Sequence, residues 1–267
     1  MNEKNLEYLA NQLKYTGFGE DMKEQLREKM QKQEPVFTLG HSKNYGKDET
    51  VATLHFRKSD ESDMYFFNRY TLLLKNEQHK EPVKQTFYIG NKEDNVTLKE
   101  GYNLLDGRAV YKEMTNKSDQ KYNAWIQLDM KNTDPSGNFK LKIYSDGYKY
   151  DLIDTLAKHP IKEMDYADSR KQLIDSLERG NRQSVTLVVN GNERKLQIEA
   201  VPQFKSLNFY EATGQRIRSD KLYEDNSQEK SVKQDKTQRQ STAAGGDDEG
   251  GFSENKNRKK TKRQGIH

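Results

Sequence analysis

Cysteine is absent from the chain. Disulfides and thiolate metal sites are thereby excluded, and a reducing compartment is tolerated. Apolar runs are short: none approaches the ~18 residues of a membrane span, so no membrane association is expected. The opening stretch MNEKNLEYLANQLKY is charged throughout and lacks the apolar h-region of a secretory signal; a cytoplasmic protein is the expectation. Histidine is sparse. His41, His55, His79, His159 and His267 stand far apart, with no H-x-H or H-E-x-x-H spacing to gather them around a metal. Phosphate-cradling loops of the G-x-x-x-x-G-K-[ST] and G-x-G-x-x-G types are missing, as is the G-x-S-x-G nucleophile elbow. The sequence recruits no catalytic residue, no metal and no cofactor, and a protein that is not an enzyme is expected.

Charge is what the chain has in quantity. Charged residues make up 33% of its 267 residues and hydrophobic ones 31%, with a mean hydropathy of −1.18, while aromatics reach 10%. The combination fits an aromatic-rich core diluted by a long polar segment. A net charge of +4 is too small to argue for nucleic acid unless positive charge is concentrated locally.

Helical spacing opens the chain. Leu6, Leu9 and Leu13 fall on one face, and after the T-G-F-G of residues 16–19, Met22, Leu26 and Met30 repeat every four residues. The second helix mixes Glu and Lys on its polar face rather than concentrating base, which argues against a DNA-reading helix-turn-helix. Residues 36–39, 51–57, 64–74 and 83–89 read as strands, with turns at 44–47 and 59–62. Thr97-Leu98-Lys99-Glu100 is a capping box, Leu98, Tyr102 and Leu105 share a helical face, and Gly107 is a natural left-handed stop. Strands follow at 110–114, 122–130 and 139–144. Ile126, Leu128 and Met130 alternate with Trp125, Gln127 and Asp129, and Phe139, Leu141 and Ile143 alternate with lysines. That pattern predicts half-buried strands with one solvated face. A small helix at 150–158 stops at His159-Pro160. A helix at 166–179, with Leu173 and Leu177 inward, ends at Gly180. Strands at 184–189, 195–201 and 204–210 complete the pattern, with a hairpin signal at Asn190-Gly191.

Two stretches look alike. NLLDGRAV…AWIQLDM…GNFKLKIY and DSLERGNR…KLQIEAV…QFKSLNFY share a leucine–glycine helix end, an alternating strand and an aromatic-ended strand, and residues 22–70 give a fainter copy. The expected fold class is α+β: divergent repeats of a short helix plus antiparallel strands. Its parts are an N-terminal helical pair at 1–34, units at 35–96, 97–150 and 151–218, and a disordered charged tail at 219–267. The tail lacks apolar periodicity and cannot bury enough surface to offset an ordering entropy of ~1–2 kcal/mol per residue. It carries Asp247-Asp248-Glu249 and then the basic cluster Lys256, Arg258, Lys259, Lys260, Lys262 and Arg263. That cluster either engages nucleic-acid phosphates or only solubilises the tail.

Other chemistries can be weighed residue by residue. Asp60, Glu61 and Asp63 read as a solvated turn, since hard cations need about six converging oxygens. Residues 132–137 (NTDPSG) mimic the start of a calcium loop, but the required bidentate Glu falls at Ile143, and a proline–glycine turn takes its place. His55 alternates within a strand, and His159 sits at a helix end where imidazole can face the last carbonyls. Tyr65-Phe66-Phe67-Asn68-Arg69-Tyr70 and Phe139-Lys140-Leu141-Lys142 interleave aromatics with base. A stacking surface for single-stranded nucleic acid uses such a face, but an aromatic core flanked by snorkelling cations is the simpler reading. Open sheet edges equally suit strand addition by a protein.

Several stretches together resemble a known family. They are LKYTGFGED (13–21), FRKSDESDMYFFNRY (56–70), TLKEGYNLLDGRAV (97–110), YNAWIQLD (122–129), LAKHPIKE (156–163), SLERGNRQSVT (176–186) and EAVPQFKSLNFYEA (199–212). The family comprises Bacteroidota proteins classed as domains of unknown function, commonly encoded on conjugative and other mobile elements. The resemblance covers roughly residues 5–222 and departs at Val201, where a polar residue is expected before Pro202. It implies a mobile-element accessory protein and assigns no catalytic residue. The function expected is thus a non-catalytic accessory protein that binds a protein partner through repeated α+β modules. Weak, salt-sensitive nucleic-acid binding through the basic tail is the alternative.

Overall fold

The computed structural model describes residues 1–90 and 95–223. Helix α1 (Glu3–Tyr15) starts at Asn2, whose side chain accepts from the Asn5 N–H, and buries Leu6, Leu9 and Leu13. Helix α2 (Lys23–Gln31) buries Leu26 and Met30. Strands β1 (Val36–Tyr45), β2 (Asp48–Lys58), β3 (Tyr65–Lys75) and β4 (Val83–Tyr88) then form an antiparallel sheet in chain order, sheet 1. Strand β1 runs on through residues expected to turn, because Tyr45 still pairs with Asp48 and only Gly46-Lys47 closes the hairpin. Asn5 fixes the start of β3 as a neighbouring strand would: its side chain accepts from the Tyr65 N–H and donates to the Tyr65 carbonyl.

Helix α3 (Leu98–Leu105) carries both halves of the capping box, with the Thr97 N–H donating to Glu100 Oε2 at 2.8 Å and the Glu100 N–H to Thr97 Oγ1. Strands β5 (Val110–Thr115), β6 (Lys121–Thr133) and β7 (Phe139–Ser145) form sheet 2, again in chain order. Helices α4 (Leu152–Leu156) and α5 (Ala167–Glu178) lead to β8 (Gln183–Val189), β9 (Asn192–Val201), β10 (Ser206–Tyr210) and β11 (Arg216–Ile217), which make sheet 3. Phe204 is not in a strand. It ends a 3-10 turn, Pro202–Phe204, after which Lys205 takes a left-handed conformation and β10 begins at Ser206. Five helices and three antiparallel sheets among the described residues make the class α+β.

Two hydrophobic cores divide the apolar side chains, and sheet 2 is the wall between them. Val110, Ile126 and Leu128 join the first core with α1, α2, α3 and the inner face of sheet 1. Ala109 and Trp125 join the second with α4, α5 and sheet 3, and Tyr111 and Tyr144 pack against it. Alternation sends neighbouring residues of one strand to opposite faces, and here both faces are covered. The expectation of one solvated face for β6 is therefore corrected at Ala124, Trp125 and Ile126, all buried. Strand β7 departs the other way: Leu141 is 42% and Ile143 48% exposed, because they lie beyond the edge of the first core. The ordered chain also reaches past residue 218, since Leu222 is buried in the second core. The rest of the expected tail, from Glu224, lies outside the described residues.

The cores are joined where two helix ends meet. Asn103 Nδ2 donates to the Arg179 carbonyl at 2.6 Å and to Asn181 Oδ1 at 3.0 Å, and Arg108 Nη1 donates to the Gly180 carbonyl at 3.1 Å. These carbonyls end α5 and have no partner within the helix. Gly180 has φ +76°, and a Cβ there would stand 2.7 Å from the Ala109 carbonyl oxygen; Gly107, φ +81°, has open space around it. Gly107→Ala therefore incurs only left-handed strain, ~1–2 kcal/mol, whereas Gly180→Ala adds a backbone collision and costs at least ~1 kcal/mol more. Urea unfolding followed by Trp125 fluorescence checks this, and equal losses would refute it.

Candidate functional site

The outer side chains of sheet 1 are ordered into rows by register. Thr38 stands opposite His55, His55 opposite Arg69, and Arg69 opposite Tyr88, so one row crosses all four strands. Val36, Arg57 and Phe66 form the row on one flank. Gly40, Thr53, Thr71 and Thr86 form the row on the other, with the Thr71 and Thr86 hydroxyls 3.1 Å apart. Beyond that lie Ser42, Val51, Leu73 and Lys84. Between His55 and Phe56 the register shifts, leaving Asn68 as an extra residue in β3. This bulge is what keeps Phe66 and Arg69 on the same face although three positions separate them.

Apolar and cationic groups share this face. Val36 is 63%, Phe66 43% and Tyr88 69% exposed. A depression of about 610 Å³ is lined by Glu34, Val36, Thr38, His55, Arg57 and Arg69. Arg57 donates to Asp60 at 2.7 Å and Lys75 to Glu49 at 3.3 Å, both well exposed. Arg69 and Lys84 have no ion-pair partner among the described residues. Burial, reinforced by the Arg69 guanidinium, holds the His55 imidazole below its ordinary value.

The outer edge of β7 is a second open feature. Phe139 gives its N–H to Gln85 Oε1 and accepts from Gln85 Nε2, so its backbone groups point away from β6 and towards β4. By the alternation of an antiparallel strand, the backbone groups of Leu141 and Ile143 point the same way. They find no strand there among the described residues.

A third cluster is internal. The Lys99 ammonium lies 4.4 Å from the ring centroids of both Tyr45 and Tyr102, whose rings stack at 4.2 Å. Tyr102 donates to Asp48 at 2.8 Å, and Asp106 pairs with Arg108 at 3.0 Å, both side chains 7% exposed. Burial, then the nearby Arg108 charge, pushes Lys99 down to about 8; burial pushes the Asp106 carboxyl up against the pull of Arg108.

Residues singled out in the sequence are mostly dispersed. The basic cluster Lys256, Arg258, Lys259, Lys260, Lys262 and Arg263 lies outside the described residues, as does His267. His41 packs edge-on against Phe18. His159 does not face the helix carbonyls: its Nδ1 meets the Tyr223 hydroxyl at 2.7 Å, while it is His79 that reaches the Leu105 carbonyl ending α3. Asp60 pairs with Arg57, and Asp63 accepts from Asn2. Asp134 organises its turn by accepting from the Ser136 and Asn138 N–H groups. Of the aromatic run, Tyr65, Phe67 and Tyr70 are core residues and only Phe66 turns outward. His55, Arg69 and Tyr88 become a row only through cross-strand register. No protein-family model, curated relative or solved structure matches the chain.

Two titrations test this geometry. By proton NMR the His55 midpoint lies below the usual imidazole value, and Arg69→Gln raises it; an unchanged midpoint would exclude that pairing. Because the unfolded chain takes up this proton first, the His55 contribution to stability is full above the ordinary imidazole value and is lost as pH falls from there through the lower folded-state midpoint. Lys99, followed by carbon NMR, titrates near 8, and its contribution to stability grows as pH rises from there towards the ordinary lysine value. A midpoint at that ordinary value would contradict its burial against the two tyrosine rings.

Proposed function

We propose that the chain is a non-catalytic accessory protein of a mobile genetic element, acting in the cytoplasm through protein–protein contacts. In this reading it is built from an N-terminal helical pair and divergent units of a short helix plus antiparallel strands. The family resemblance supplies the mobile-element context. A helix before each antiparallel meander (α2, α3 and α5) supports the repeated plan. The observation that carries a binding role is the β7 edge, where outward backbone groups coincide with exposed Leu141 and Ile143. Such an edge accepts an extended segment by strand addition, with backbone hydrogen bonds for affinity and the two apolar side chains for register. Its partner is an extended, apolar segment of another protein. Leu141→Lys combined with Ile143→Lys keeps the far-UV circular dichroism and abolishes recovery of that partner by affinity purification from the host. Undiminished recovery sinks the edge as the site.

A second reading rests on the cations crowded into residues 256–263. Release of counterions drives such binding and makes it salt-sensitive, with a log–log slope of about −0.7 per phosphate neutralised on a single strand. Replacing Lys256, Arg258, Lys259, Lys260, Lys262 and Arg263 with Gln in the full chain then removes most nucleic-acid affinity in a salt series. Binding that ignores salt counts against it.

A further inference from the structure

We propose that the solvated face of sheet 1 binds single-stranded nucleic acid, with Phe66 and Tyr88 stacking on bases and Arg69, Arg57 and Lys84 meeting phosphates. The inference stands apart from the β7 edge and from the tail, since it uses neither. Three observations carry it. First, register places Phe66 and Tyr88 as diagonal neighbours on adjacent strands, on either side of the Arg69 position, both exposed. Strand geometry sets them roughly 7–9 Å apart, so two bases of one strand can be held side by side. Second, the charge is one-sided. The rows present Arg57, Arg69, Lys75 and Lys84; Glu49 engages Lys75 and Asp60 engages Arg57, Glu34 stands at the rim of the depression, and Arg69 and Lys84 are left over as cations without an ion-pair partner among the described residues. Third, hydroxyls of Thr38, Thr53, Thr71 and Thr86 line the centre of the face and offer donors and acceptors without charge.

The chemistry selects among ligands. An apolar peptide covering Phe66 and Tyr88 would strip water from Arg69 and Lys84 without supplying counter-charge, which is unfavourable. A nucleotide strand supplies an aromatic face for each ring and a phosphate for each cation. A duplex supplies only the phosphates, because its base faces are already stacked. His55, held neutral beside Arg69 at physiological pH, adds a ring donor or acceptor rather than a further charge.

The test is fluorescence anisotropy with labelled oligo(dT) and oligo(rU) of about 10 nucleotides, within the range of sites one small sheet can cover. The full-length chain is used, with Lys256, Arg258, Lys259, Lys260, Lys262 and Arg263 replaced by Gln so that the tail cannot contribute. Binding persists in this background and is weaker for a duplex of the same length. Phe66→Ala and Tyr88→Ala each weaken it roughly 5- to 100-fold, whereas Tyr88→Phe retains it. Arg69→Gln lowers the salt dependence by about one phosphate. Failure of the single strands to bind at low salt overturns the proposal, as does full binding by a doubly substituted Phe66→Ala, Tyr88→Ala chain of unaltered circular dichroism. Capture of a protein that is lost with Phe66→Ala, in place of oligonucleotide, also overturns it and leaves the β7 reading intact.

Discussion

Hydrogen-bond accounting at the end of helix α5 holds the molecule together. Its last carbonyls lie in the interior, where an unsatisfied one costs ~1–3 kcal/mol. The groups that satisfy them come from the end of another helix: Asn103 reaches the Arg179 carbonyl and Arg108 the Gly180 carbonyl. The approach is possible because Gly180 has no side chain to meet the Ala109 carbonyl. From that point the chain splits its allegiance, with Ala109 entering one core and Val110 the other. The cross-linked helix ends thus also place the start of sheet 2.

Once β5 and β6 stand between the cores, both faces of the sheet there must be apolar. Trp125 meets this demand on one side, in tilted contact with Tyr111 and edge-on contact with Tyr150, and Ile126 on the other. Truncating an aromatic so placed ordinarily costs ~3–5 kcal/mol. Sheet 2 is shared, but β7 extends past the material that covers it, and sheet 1 is covered on its inner face alone. The surfaces open to a ligand are what this arrangement leaves over: one strand edge with apolar side chains, and one face rich in cations, hydroxyls and aromatic rings.

Much of the local structure was legible in the residues. The capping box at Thr97 and Glu100, the left-handed glycines at 107 and 180, and the Asn190-Gly191 turn are local signals read within a few positions. Binding surfaces were less visible. Tyr65-Phe66-Phe67-Asn68-Arg69-Tyr70 looked uniform, yet a bulge at Asn68 decides which members face out. His55, Arg69 and Tyr88 are separated in sequence and become one row only through pairing. The alternating pattern pointed to outward positions but not to which of them would be neighbours.

By itself, then, the sequence determined the elements: helices with apolar stripes, strands with alternating side chains, caps and turns, and a polar segment that lacks core-forming periodicity. These follow from short-range sterics and hydrogen bonding. Only the tertiary structure decided that β6 is covered twice while Leu141 and Ile143 are left exposed, that Leu222 belongs to a core, and that Asn103 closes a helix far along the chain. Burial depends on what packs against a residue, and that is settled by contacts between segments distant in sequence. The same apolar side chain is core or surface according to whether a partner element reaches it.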